Sequence, residues 1–257
     1  MKYIKQQSII KEHNGRSVEL FLDDAIKIFK TKCSDYNIDN TTIYRGIRTS
    51  MRTPYLEVSP KKYKRSAGYS NTTYLNFIDG SESWSSYPKR RESIICSTSD
   101  STADAYGDLY VVIPFNGAKF GVCPSDDFQN SFDVFTRRFG LKIYQLDELF
   151  YDSGDGVYEY NEIKQKIETG DYNKVTLSYS YKQYKSENEI SDEDMFKEIL
   201  ECSSPEKNGF NISSVSEIKE IPNKNENPSE GNEVWTDFDC LLIHYDYYHK
   251  FLEELQK

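Results

Sequence analysis

Residues 109–114 read Leu-Tyr-Val-Val-Ile-Pro, an unbroken apolar run. Its length suits a strand, and the lack of alternation marks a strand covered on both faces, hence a central one. Such a strand needs partners on both edges, because its backbone N–H and C=O groups are cut off from water. Strands are predicted for this purpose at 41–47, 93–97, 118–123, 233–236 and 240–244. A half-buried strand is predicted at 174–181, where Val175, Leu177, Tyr179 and Tyr181 alternate with other residues.

Helical stretches lie between the strands. Over 17–33, Val18, Phe21, Leu22, Ala25, Ile26 and Phe29 form an apolar stripe, with a turn at Asn14-Gly15 and Ser17 as the N-cap. Ser99 caps a short helix that stops at Gly107. Residues 128–139 and 146–151 read as helical or turn segments around aromatic anchors. Residues 157–169 form an amphipathic helix with Tyr160, Ile163 and Ile167 on one face. Ser191-Asp-Glu-Asp is a capping-box signature leading into Met195, Phe196, Ile199 and Leu200. A short helix holds Phe251 and Leu252. Residues 48–89 read as a long irregular loop with Tyr74, Leu75, Phe77, Trp84 and Tyr87 as its apolar points, and 223–232 as an exposed loop. The class is α/β (α+β), in a single domain over 1–257 with an insertion at 150–210.

Hydrophobic residues make up only 37% of the 257, but aromatic residues reach 14%, so tyrosine and phenylalanine must fill much of the core. The net charge of −10 does not resemble a general nucleic-acid footprint. Two basic runs stand against it: Lys61, Lys62, Lys64 and Arg65, then Lys89, Arg90 and Arg91. They read as solvated loops, or as a patch for phosphates of a ligand or an RNA. The five cysteines include no CxxC pair, which points to buried, reduced thiols of a cytosolic protein and not to zinc. No apolar run is long enough to span a membrane, and the N-terminus lacks a signal-peptide core. His13, His244 and His249 read as surface or satisfied core residues, and the acidic run 187–194 as a helix start, not a calcium loop. No P-loop, dinucleotide-binding glycine set or Gly-x-Ser-x-Gly elbow occurs.

Three short elements carry chemistry: Tyr44-Arg45-Gly46 and Ser97-Thr98-Ser99, each at a strand end, and Glu233, which opens a strand as Asn232-Glu233-Val234-Trp235. Alone, each has an ordinary reading as a surface arginine, a turn and a solvent-facing carboxylate. Together, they resemble the Arg, Ser-Thr-Ser, Glu pattern of the mono-ADP-ribosyltransferases, and in manner the phage-encoded members more than the secreted toxins. The resemblance covers residues 16–135 and 230–245. It implies two packed antiparallel-rich sheets with flanking helices and an NAD cleft between them. It also implies transfer of ADP-ribose from NAD to a macromolecular acceptor, protein or nucleic acid, with release of nicotinamide. No metal and no membrane partner are implied, and the setting would be a cytoplasm, a host's for a phage-encoded member.

The chemistry of the set makes sense. An arginine fork binds pyrophosphate oxygens, the role for Arg45. Cleavage of the nicotinamide–ribose bond develops positive charge on the ribose, which a fixed carboxylate, Glu233, stabilises most in the transition state. Ser97 would hold that carboxylate, and Thr98 and Ser99 would brace the turn. Tyr44, Gly46 and Tyr106 join the NAD-binding set, and Tyr44, Tyr106, Phe128 and Phe132 are alternative rings to sandwich the nicotinamide. One departure stands out. Many members carry a glutamate or glutamine two residues before the catalytic glutamate, where this chain has Gly231; Glu230 would face the other way on a strand. This leaves open another acceptor, a base from Asp237 or Asp239, NAD glycohydrolase activity, or an inactive binding or virion-associated protein.

Overall fold

The computed structural model describes residues 11–12, 15–38, 42–48, 53–62, 73–146, 160–169, 186–216 and 231–257. In chain order it contains β1 (Lys11–Glu12), β2 (Gly15–Glu19), α1 (Leu22–Lys32), β3 (Tyr44–Ile47), β4 (Tyr55–Ser59), α2 (Thr73–Gly80), β5 (Ile94–Ser97), α3 (Asp100–Asp104), β6 (Asp108–Pro114), β7 (Lys119–Val122) and α4 (Asp133–Phe139). Helices Tyr160–Thr169, Asp192–Cys202 and Pro205–Asn208 follow, then β8 (Asn211–Ser214), β9 (Glu233–Thr236), β10 (Cys240–His244) and the C-terminal helix Tyr245–Leu255. The chain divides into two compact units: Met1–Arg65, Pro88–Asp126 and Ile212–Lys257 form the first, Ser66–Tyr87 and Asp127–Asn211 the second. The stretch 150–210 lies wholly in the second unit.

In the first unit one sheet runs β1-β2-β4-β10-β6-β3-β5-β9-β7-β8. The pairings from β1 to β7 are antiparallel. The apolar run of β6 lies inside it, between β10 and β3, with Tyr110, Val111, Val112 and Ile113 fully buried. Two separate sheets were expected; hydrogen bonding is instead continuous. The continuity is narrow at one point, however. β3 pairs with β6 through four residues but with β5 only at Tyr44, opposite Ser97.

Helix α1 and the C-terminal helix pack on this core, with the Phe29 and Phe251 rings edge to face at 5.7 Å. Ser17 does not cap α1. It pairs with Val58 of β4, and the helix begins after Phe21 with no side-chain cap. Its start is favoured electrostatically by Asp23 and Asp24 in the first turn, with Lys30 and Lys32 in the last. β4 likewise corrects the reading of 48–89 as irregular. Tyr55-Leu56-Glu57-Val58-Ser59 is short and bracketed by Pro54 and Pro60, yet it is paired on both edges, by β2 and β10. The same stretch holds α2, whose Tyr74, Leu75, Phe77 and Ile78 are buried.

The second unit is organised around aromatic rings. Trp84 packs on Phe128, Phe132 and Phe210 with centroids 4.9 to 6.0 Å apart, and its indole N–H donates to Ser203 O at 3.0 Å. Helix Asp192–Cys202 starts as its capping signature predicts, with Ser191 Oγ accepting from the Asp194 N–H at 3.0 Å. Met195, Phe196 and Ile199 are buried. The strand predicted at 174–181, residues 147–159, His13, Lys64, Arg65 and the loop 223–230 lie outside the described residues. Among those described, no helix is long and apolar enough to cross a membrane.

Candidate active site

Strands β5 and β9 run antiparallel with Ser97 opposite Glu233. Directly opposed residues project from the same face of a sheet, so the hydroxyl and the carboxylate share one side. Tyr44 of β3, opposite Ser97, continues the row.

The turn after β5 is tied to the start of β9. The Thr98 N–H donates to Asn232 O at 3.0 Å, and the Asn232 N–H returns to Thr98 Oγ1 at 2.8 Å. The Asn232 amide donates to Cys123 O at 2.8 Å. The Ser99 N–H donates to Ser97 Oγ at 3.0 Å, and Ser99 Oγ caps α3 by accepting from the Thr102 N–H at 3.3 Å. The three hydroxyls thus brace the turn, tie it to β9 and start a helix. Gly231 fits beneath them with φ +68; a Cβ there would lie 2.7 Å from Ser99 N and 2.8 Å from Thr98 Oγ1. A side chain at this position would run into the Ser-Thr-Ser turn.

Arg45 stands one residue beyond Tyr44, and strand alternation turns its Cβ to the other face, in the row of Tyr110 and His244. Its guanidinium nevertheless belongs to the β3–β5 joint. Since Thr98 bonds Asn232 across the β5–β9 ladder, the N–H and C=O of Ser97 and Ile95 point toward β3. β3 pairs there only through Tyr44, and Arg45 Nη1 donates to the Ile95 carbonyl at 2.7 Å in place of a ladder bond. The structure therefore joins Ser97 and Glu233 by register, and ties Arg45 to the same strand through its main chain.

Glu233 is ion-paired with Arg90. Arg90 is 6% exposed, and its guanidinium lies over the Trp235 ring at 5.3 Å. The Trp235 indole N–H is fixed by Pro88 O at 2.8 Å. This corrects the reading of 89–91 as a solvated loop at Arg90, which is buried and partners a carboxylate that β9 carries inward, whereas Lys89 is exposed. Lys61 likewise pairs with Asp237 at 3.1 Å and lies over the Phe238 ring. No local pattern links Arg90 to Glu233; the one hint in the sequence is a basic run in an acidic chain.

The aromatic candidates separate. The Tyr44 ring meets Tyr245 with centroids 6.3 Å apart, and burial pushes its phenol pKa up. Tyr106 is 61% exposed at the end of α3. Gly46 lets α3 lie on β3, since a Cβ would collide with Ala103 O. Phe128 and Phe132 are fully buried in the aromatic cluster of the second unit, their faces covered by Trp84, Phe210 and each other, so they do not offer a ring to a ligand.

His244 is a buried helix cap whose Nδ1 accepts from the Asp246 N–H at 3.2 Å, while His249 is exposed beside Glu253. All five cysteines are buried thiols outside any disulfide, and burial raises the Cys33 thiol to about 12 and the Cys240 thiol well above its ordinary value. Among the described residues no three His, Cys, Asp or Glu side chains are grouped as a metal site. No family model, curated protein or solved structure matches the chain.

Proposed function

We propose that the chain is an NAD-dependent mono-ADP-ribosyltransferase that moves ADP-ribose to a macromolecular acceptor in a cytoplasm. The observation that carries this reading is the cross-strand pair Ser97–Glu233, set beside the joint that Arg45 closes. In the reaction the bond between ribose C1′ and the nicotinamide nitrogen breaks, and nicotinamide leaves with the electron pair. The ribose becomes oxocarbenium-like, and Glu233 stabilises it from a fixed position. The acceptor's lone pair then bonds to C1′ and its proton passes to a base. Ser97 donates its hydroxyl proton toward Glu233, Tyr44 and Tyr106 supply rings for the nicotinamide, and Arg45 closes the β3–β5 joint beside them. Thr98, Ser99 and Gly46 shape the turn and strand against which the dinucleotide lies.

Glu233→Gln keeps the shape and removes the charge. It is expected to retain NAD binding by calorimetry and to lose about 10³-fold in nicotinamide release. Unchanged release would overturn the assignment.

Gly231 favours a second reading. Its backbone and its contact with the Ser-Thr-Ser turn leave no room for an acceptor-activating side chain. Water then becomes the acceptor, and the chain an NAD glycohydrolase. With adenine-labelled NAD, the first reading puts label on a macromolecule, and the second puts it in free ADP-ribose.

A further inference from the structure

We infer that Arg90 is a positioning residue that holds the Glu233 carboxylate in the orientation the reaction uses, an inference that rests on the proposed function. The main chain of Glu233 is already fixed. Its N–H donates to Ser125 O and its carbonyl accepts from the Cys123 N–H, both at 2.9 Å. What remains adjustable is the side chain, and Arg90 takes hold of it through Oε1. The side chains of Arg90 and Glu233 are only 8% and 13% exposed, so water screens the attraction little.

Arg90 is itself held at both ends. The Ser93 hydroxyl donates to Lys89 O at 2.6 Å, and the Ser93 N–H donates to Arg90 O at 3.3 Å. At the far end the guanidinium rests on Trp235, two residues along β9 from Glu233 and therefore on the same face. Trp235 is pinned in turn by Pro88 O. A planar fork braced against an anchored ring fixes direction as well as distance, which a lysine point charge does not. A carboxylate that must face a developing charge gains from this, since a misplacement of about 1 Å costs on the order of 10²-fold in rate.

The experiment compares wild type, R90K, R90M, E233Q and R90M/E233Q in the full chain, reading nicotinamide release against NAD concentration and thermal unfolding. R90M is expected to lose roughly 10²-fold in kcat with KM for NAD nearly unchanged. R90K is expected to fall between R90M and wild type, and it decides the matter if R90M fails to fold. In unfolding, the double variant is expected to lose less than the sum of the two single losses, as a direct pair requires. Wild-type kcat in folded R90K or R90M, with E233Q inactive, overturns the role of Arg90 alone. An E233Q variant as active as wild type, or a wild-type chain inert toward NAD, overturns the functional reading, and the positioning role with it, even where the unfolding cycle still shows the pair.

Discussion

The aromatic cluster of the second unit and the Ser97–Glu233 row of the first are both buried, but they are held by different forces. Around Trp84 the contacts are ring against ring, and the polar tips, the Trp84 indole N–H and the Tyr87 hydroxyl, donate to backbone carbonyls. Such a region depends on volume and shape, and tolerates exchange of one large apolar group for another. Along β5 and β9 the buried groups are hydroxyls, a carboxylate and a guanidinium, each with a named partner. Burying them without partners would be costly, so each partner is needed where it stands. The aromatic cluster is specified by volume, the row along β5 and β9 by matched polar partners.

Substitutions can break or sharpen this contrast. The largest stability loss is expected for Trp84→Ala, about 4 kcal/mol by thermal or denaturant unfolding, because a ring is removed from among rings. Trp84→Phe should recover most of it; a full loss would show that the indole hydrogen bond, not volume, governs that region. Next comes Gly231→Ala, expected to cost about 3 kcal/mol from left-handed backbone strain and overpacking together. Gly140 in the second unit is its control. It has nearly the same φ, +67 against +68, with nothing within 4 Å of a Cβ, so Gly140→Ala should cost only about 1 kcal/mol. Equal costs would remove the claim that the Ser-Thr-Ser turn closes over Gly231. A smaller effect, about 1 kcal/mol, is expected from Ser99→Ala through loss of the α3 cap. Smallest is a thiol probe near neutral pH: the buried cysteines should stay unmodified in the folded chain and react on unfolding, while rapid labelling of native Cys33 would contradict its burial.

How much could be read from the sequence follows the range of the interactions. β6, β9, β10 and the Ser191 cap were legible because their signals are local: an apolar run, short strand patterns and a capping tetrapeptide. β2 and β4 were not, because a five-residue strand between prolines, or one that mimics a helical stripe, is decided by its partners. For the candidate site, the residue types were legible but their register was not. Nothing local sets Ser97 opposite Glu233, or assigns Arg90 to that carboxylate in place of solvent. Phe128 and Phe132 show the reverse case: aromatic identity is legible in the sequence but availability is not, because packing uses both rings.

The most direct measurement is nicotinamide release from NAD by wild type and Glu233→Gln, run beside calorimetric NAD binding on both. The account expects release by wild type, about 10³-fold less by Glu233→Gln, and similar affinity in the two. Equal release, or no NAD binding by wild type, would contradict the claim that the carboxylate opposite Ser97 acts on a bound dinucleotide.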